Sequence, residues 1–320
     1  MEIALWTLAF FAALAVLIKS ADWFTDTAEK IGLFFKIPSF IIGVTIVAFG
    51  TSLPEIATSI SAVLKGNSEI VIANVAGSNI TNILLVLSIS AIIAKQIKVD
   101  KDIIKIDLPI LFGSTILLLL TTLDGKFTYI DGILSMIFLL SYIIYNVKTG
   151  REINDGISEI EKEEKSEAKK GRIEIKYPLI LLGSGILIAI SADFTIRSVI
   201  ELSKLLKIGE EIIAVTAIAI GTSLPELATS VIAAKKGKSG IAIGNITGSN
   251  IFNALGVMAI PSFIDTLIIP LNFIVFTIPT LLFVTILYVF VTMDNEISQW
   301  EGITLLLLYV AFIGKTFNLI

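Results

Sequence analysis

Residues 41–59 read IIGVTIVAFGTSLPEIATS and residues 212–230 read IIAVTAIAIGTSLPELATS. The segments are 171 positions apart and agree at 14 of 19 positions. At the same offset Asn74–Val75–Ala76–Gly77–Ser78–Asn79–Ile80 meets Asn245–Ile246–Thr247–Gly248–Ser249–Asn250–Ile251, Asn82 meets Asn253, and Ser20–Ala21–Asp22 meets Ser191–Ala192–Asp193. Further along the offset is 170: Asp124 meets Asp294, and Asp131–Gly132–Ile133 meets Glu301–Gly302–Ile303. A duplication of this extent requires a fold in which two halves can serve equivalent roles.

The medium of that fold follows from the residues between the motifs. Hydrophobic residues make up 55% of the 320 and charged residues 16%, against roughly 25% charged in a soluble domain. Mean hydropathy is +0.91. This excludes a typical soluble enzyme and a disordered chain. With 24 basic and 28 acidic residues there is no basic excess for nucleic acid. Cysteine and histidine are absent, so disulfides, thiolate nucleophiles and His or Cys metal sites are excluded. A metal here would have oxygen ligands, which favours hard cations.

Apolar segments long enough for about 30 Å of hydrocarbon are read at 3–21, 38–62, 69–94, 106–123, 127–147, 176–201, 210–233, 240–263, 268–291 and 298–316. The first is read as a membrane helix, because Glu2, Lys19 and Asp22 do not fit a cleavable signal. The expected fold class is an all-α integral membrane protein, because lipid-exposed backbone must be internally hydrogen-bonded. Residues 1–147 form the first five-helix repeat, 148–175 a polar cytoplasmic loop, and 176–320 the second repeat. Five spans is an odd number, so the second copy enters the membrane in the opposite sense, giving ten transmembrane helices in two inverted-topology repeats. With both termini outside, cytoplasmic segments hold seventeen basic residues and exterior segments five. That is the arrangement favoured by the positive-inside rule.

Spans 2 and 7 each carry Gly-Thr-Ser-Leu-Pro-Glu near the middle. Pro54 and Pro225 cannot donate to the carbonyls of Gly50 and Gly221, so both spans are expected to break there. Glu55 and Glu226 follow the breaks, and an ionisable group inside a membrane marks a functional site by default. Thr51 and Thr222 stand four residues before them, and Ala48 and Ala219 lie on the same faces. Spans 3 and 8 offer Asn74, Ser78 and Asn82, and Asn245, Ser249 and Asn253, each spaced as one polar stripe. Gly77 and Gly248 permit close packing. Alone, a Pro kink or an Asn stripe is commonly structural. Both motifs in both copies, with no basic partner inside them, point to a cation site. Two carboxylates and a shell of neutral oxygens suit calcium, which takes 6–8 oxygen ligands in flexible geometry. Asp22 and Asp193 are read as either interface or vestibule residues.

These motifs resemble the calcium/cation antiporter superfamily, and most closely its sodium/calcium exchanger family. The hallmark patterns appear as Gly50–Glu55 with Ala73–Asn82, and as Gly221–Glu226 with Gly244–Asn253. The resemblance implies a secondary active antiporter that exchanges sodium for calcium by alternating access, with no enzymatic activity and no organic cofactor. It implies that Glu55 and Glu226 are shared ligands for calcium and sodium, with oxygens from Thr51 and Thr222. It further implies carbonyls of Ala48 and Ala219 and hydroxyls of Ser52, Ser78, Ser223 and Ser249 at flanking sodium sites, and Asn82 and Asn253 where members carry Asn or Asp. Its partners would be calcium, sodium and membrane lipid, in a multi-pass cell-membrane protein working as a monomer. Three departures stand out: Ala73 replaces a usual Gly, there is no third core carboxylate, and the central loop is short. The calcium/proton branch carries Glu where Gly77 and Gly248 stand, which favours sodium as counter-ion. A calcium/proton antiporter and a passive cation channel are the alternatives.

Overall fold

The computed structural model describes residues 2–35, 37–101, 103–152, 174–205 and 221–316. Helix α1 spans Glu2–Phe34. Four further helical rods follow in the first half: α2 Ser39–Leu64, α3 Glu69–Ala94, α4 Ile103–Thr122 and α5 Tyr129–Glu152. The second half opens with α6, Lys176–Leu205, and α7, Leu224–Lys235. Rod α8 runs through Ser239–Phe252, Asn253–Val257 and Met258–Ser262. It is followed by α9, Phe273–Thr292, and α10, Gln299–Thr316. Seven of the described helices are long and apolar enough to cross a membrane, so the chain is an all-α multi-pass membrane protein.

Their burial sorts them into centre and periphery. In its most apolar window α3 is 83% buried, whereas α1 is 11% buried and presents Leu5, Leu8 and Phe11 outward. Apolar residues therefore face lipid, and polar residues collect inside. Asn79, Asn82, Asn250, Asn253, Glu55 and Glu226 are all fully buried. Helix α1 packs chiefly against α6, while α8 packs against α2 and α7.

The first helix exceeds its expected span of 3–21 by thirteen residues. The extension carries Asp22, Asp26 and Glu29, which stay helical because they are paired. Lys236 pairs with Asp22 and Asp26, and Lys238 bonds Asp26 and, at 2.7 Å, Glu29. Asp22 is thus an interface residue, whereas Asp193 pairs with Arg197 along its own exposed helix face. At the central loop, α5 continues to Glu152 and α6 begins at Lys176. The remainder of that loop and residues 210–220 of the expected seventh span lie outside the described residues.

Two short antiparallel ribbons tie the connections together. Strand β1, Gln96–Lys98, pairs with β4, Glu296–Ser298, with Ile97 opposite Ile297. Strand β2, Lys126–Phe127, pairs with β3, Leu267–Ile268. The Ile268 amide also bonds Ser68 Oγ at 3.1 Å, and the Lys30 ammonium sits 5.7 Å from the Tyr177 ring. Four helices contain a π turn not foreseen from sequence: Gly43–Val47, Asn82–Val86, Ile103–Asp107 and Phe273–Thr277. A fifth is Asn253–Val257. The second and fifth stand at the 171-residue offset and the third and fourth at 170. Such single-turn widenings are frequent at functional sites.

Candidate ion-binding site

The break in α2 is built by sequence chemistry. Ala48–Thr51 is helical, Ser52 sits at φ −82°, ψ 0°, and a new helix begins at Leu53 with Pro54 in its first turn. Proline suits that position, since its fixed φ is helical and its missing N–H has no intrahelical partner there. In the second copy Ser223 is at φ −88°, ψ 5°, and α7 begins at Leu224 with Pro225. Each break leaves a helix N-terminus within the apolar span, with Glu55 or Glu226 in its first turn, where the helix dipole favours negative charge.

Both glutamates are fully buried, and none of their four carboxylate oxygens has a hydrogen-bond partner. The same holds for Ser52 Oγ, Ser223 Oγ, Asn79 Oδ1 and Asn82 Oδ1, and for both side-chain polar atoms of Asn253. The hydroxyls of Thr51, Ser249 and Ser52 are grouped about the Glu226 carboxyl, and Glu55 lies within electrostatic reach of Glu226. Buried carboxylates without partners are costly. Carboxylate oxygens left unpartnered beside neutral hydroxyl and amide oxygens are what the coordination shell of a hard cation requires. The residues present therefore fit an oxygen-ligated cation.

Neutral groups knit the two halves across this point. Thr51 Oγ1 lies 3.1 Å from Asn245 Oδ1 and 3.3 Å from Ser249 Oγ. Ser78 Oγ lies 2.9 Å from Thr222 Oγ1. Asn74 donates to Ser59 Oγ at 3.0 Å and to the Glu55 carbonyl at 3.2 Å. Its counterpart Asn245 donates to Ser230 Oγ at 2.9 Å and to the Glu226 carbonyl at 3.5 Å. The first asparagine of each stripe therefore holds the glutamate-bearing helix in place. The Ala48 carbonyl accepts from the Ser52 amide at 3.0 Å and from Thr51 Oγ1 at 3.3 Å. Ala219 lies outside the described residues.

Gly248 does permit close packing. A Cβ there would stand 2.5 Å from the Val44 carbonyl oxygen, and one on Gly244 would stand 2.5 Å from that of Phe40. These contacts are backbone to backbone, so only glycine lets α8 lie so close to α2. At Gly77 no atom of the described residues stands within 4 Å of such a Cβ, so the expected close packing is seen only at Gly248. Sequence reading did not single out Asn79 and Asn250 within the GSN triplets, nor Asp107. Asn79 donates to the Asn250 carbonyl at 3.0 Å. Asp107 is buried in α4 and accepts from the Tyr142 hydroxyl at 2.6 Å. An acid two residues before a proline at the edge of an apolar run reads as an interface residue until tertiary packing encloses it.

Comparison with known proteins agrees with this architecture. The family described as sodium/calcium exchanger protein matches residues 5–148 and 176–317. An uncharacterized membrane protein of Methanocaldococcus jannaschii is 35% identical, over 96% of both chains. The sodium/calcium exchanger MaX1 of Methanosarcina acetivorans is 30% identical, over 97% of this chain and 98% of its own. A solved structure of the sodium-calcium exchanger NCX_Mj, soaked with Na+ and Sr2+, superposes with a TM-score of 0.82 at 32% identity, covering 98% of this chain and 99% of that one. On this match across nearly the whole chain, the protein belongs to the sodium/calcium exchanger family.

Proposed function

We propose that this chain is a secondary active antiporter that exchanges sodium for calcium across a membrane by alternating access. The observation that carries the reading is the pair of fully buried glutamates, one from each half, whose carboxylate oxygens have no hydrogen-bond partner, with the hydroxyls of Thr51, Ser52 and Ser249 beside Glu226. Glu55 and Glu226 would bind calcium and balance its charge. With calcium gone they would hold sodium, helped by Thr51, Thr222, Ser52, Ser223, Ser78 and Ser249, the amide oxygens of Asn82 and Asn253, and the carbonyls of Ala48 and Ala219. No covalent step is involved, and the protein is a transporter rather than an enzyme.

The full topology proposed is ten membrane helices in two inverted five-helix repeats, 1–147 and 176–320, joined by a cytoplasmic loop at 148–175, with both termini outside. The connection contacts support it. Connections are numbered by the helix they follow. The β1–β4 ribbon joins the third and ninth, β2–β3 joins the fourth and eighth, and Ser68 with Ile268 joins the second and eighth. Lys236 and Lys238, in the seventh, meet the end of α1 beside the first. Odd meets odd and even meets even, as ten alternating crossings require. One miscounted helix from α2 to α9 would break that parity. The working unit proposed is the monomer.

The test is radioactive calcium uptake into proteoliposomes under imposed sodium, potassium or proton gradients, with voltage clamped by potassium and valinomycin. An outward sodium gradient should drive calcium in, and collapsing it should stop uptake. Flux that follows the pH gradient and ignores sodium would replace this reading with a calcium/proton antiporter. Uptake without counter-ion coupling would indicate a channel.

A further inference from the structure

Asn79 on α3 and Asn250 on α8 exchange hydrogen bonds at the junction of the two halves. Asn79 Nδ2 donates to the Asn250 carbonyl at 3.0 Å, and Asn250 Nδ2 donates to the Asn79 carbonyl at 3.4 Å. Because each NH2 group is committed to a backbone carbonyl, each Oδ1 is left as an acceptor. Asn250 Oδ1 has its donor, Asn82 Nδ2, at 3.0 Å. The bond related by the 171-residue offset would run from Asn253 Nδ2 to Asn79 Oδ1. It is not made, and both of those atoms are buried without a partner. All four asparagines are fully buried.

The four residues therefore support two equivalent bonds, of which one is formed. Asn82 and Asn253 each open a π turn, Asn82–Val86 and Asn253–Val257, a local widening that lets a helix segment shift without losing its ladder. A second observation runs the same way. Thr51 is buried and in contact with Asn245 Oδ1 at 3.1 Å, whereas its counterpart Thr222 is only partly buried. The junction is thus asymmetric in a molecule whose halves carry the same residues. In an inverted repeat the opposite-facing state is reached when each half takes the arrangement of the other. The bond now made would then be lost and its counterpart formed.

We propose that Asn79 and Asn250 are positioning residues that hold the amides of Asn82 and Asn253 alternately, Asn250 holding Asn82 in the present facing state and Asn79 holding Asn253 in the opposite one. The held amide has its carbonyl oxygen aimed, so the two halves take turns in presenting an ordered amide oxygen to the ion. This rests on the antiporter reading above.

The test compares Asn250→Ala with Asn79→Ala in oriented vesicles, measuring the apparent KM for calcium on each face. Asn250→Ala removes the acceptor of the Asn82 amide and Asn79→Ala that of the Asn253 amide; each also removes one of the two exchanged carbonyl bonds, a loss common to both variants that cancels in the comparison of their signs. Each should change the ratio of the two KM values by about two- to tenfold, the population equivalent of one net hydrogen bond, and the two shifts should have opposite sign. The double variant should return the ratio towards that of the wild type. Asn250→Ser and Asn79→Ser repeat the comparison with less lost volume if alanine impairs folding. Shifts of the same sign, or an unchanged ratio, would overturn the proposal, because a merely structural role lowers activity without a direction. Wild-type vesicles in the same assay report on antiport itself. If they show no sodium-driven calcium flux the functional reading has failed, whereas sodium-driven flux without opposite shifts means the failure belongs to the asparagines.

Discussion

The Ser78 hydroxyl, deep in α3, lies 2.9 Å from that of Thr222 at the break before α7, although 144 positions separate them. Thr51 and Ser249 make the corresponding contact at 3.3 Å. These crossings bring hydroxyls of both halves together, and those of Thr51, Ser52 and Ser249 stand about the Glu226 carboxyl. Neither half alone encloses the site, so movement of one half against the other changes access to both glutamates together.

Glu55→Gln and Glu226→Gln each remove one charge while nearly preserving shape. Each should weaken calcium binding by roughly 3 kcal/mol, about a hundredfold in Kd. Sodium should suffer less, because a monovalent ion draws less from each carboxylate. The double substitution should eliminate specific calcium binding. Calorimetry on folded protein checks this, and unchanged affinity in the double variant would remove the site from consideration.

Gly248→Ala should separate α2 from α8. Its Cβ would meet Val44 backbone atoms at 2.5 and 2.6 Å, and backbone cannot rotate away as a side chain can. The expected cost is on the order of 1–3 kcal/mol, seen as a lowered Tm together with lost exchange. Gly183→Ala on α6 is the control, since no atom of the described residues stands within 4 Å of that Cβ. Alanine there should be neutral or stabilising.

Lys238 binds Asp26 and Glu29 while only 18% exposed, so this network should couple more strongly than the Lys204–Glu201 pair, whose members are 58% and 37% exposed. Lys238→Glu should lower thermal stability by about 1 kcal/mol or more, and adding Glu29→Lys should recover part of it. A double-mutant cycle measures the coupling. Additive effects of the two substitutions would mean that the ion pair contributes nothing.

Orientation is tested through the absence of native cysteine. Ser158→Cys, in the polar central segment, should react with an impermeant thiol reagent in inside-out vesicles and stay unlabelled on intact cells. Labelling on intact cells would reverse the assigned topology.

Much was legible in the chain itself. Pro54 and Pro225 announced the helix breaks, because a residue without an N–H cannot continue an α-helical ladder whatever surrounds it. Glu55 and Glu226 announced a site, because an acid in an apolar span has few tolerable explanations. The repeat announced that both occur twice. These are consequences of covalent structure and local spacing, and one strand of sequence contains them in full.

Other features depended on what comes from far along the chain. The extension of α1 to Phe34 rests on Lys236 and Lys238, which neutralise Asp22, Asp26 and Glu29 from more than two hundred residues away. Asn74, which in sequence looks like any other polar stripe residue, spends its amide on Ser59 and the Glu55 carbonyl, while Asn253 at a similar-looking position keeps its polar atoms unengaged. The π turn at Asn82 leaves no mark in hydrophobic periodicity, because one extra residue in a turn barely shifts an apolar face. Covalent structure and spacing dictate which groups must be buried and where the helices must break. Which buried groups satisfy one another, and which are left facing a common point, follows from distances between helices that the order of residues does not contain.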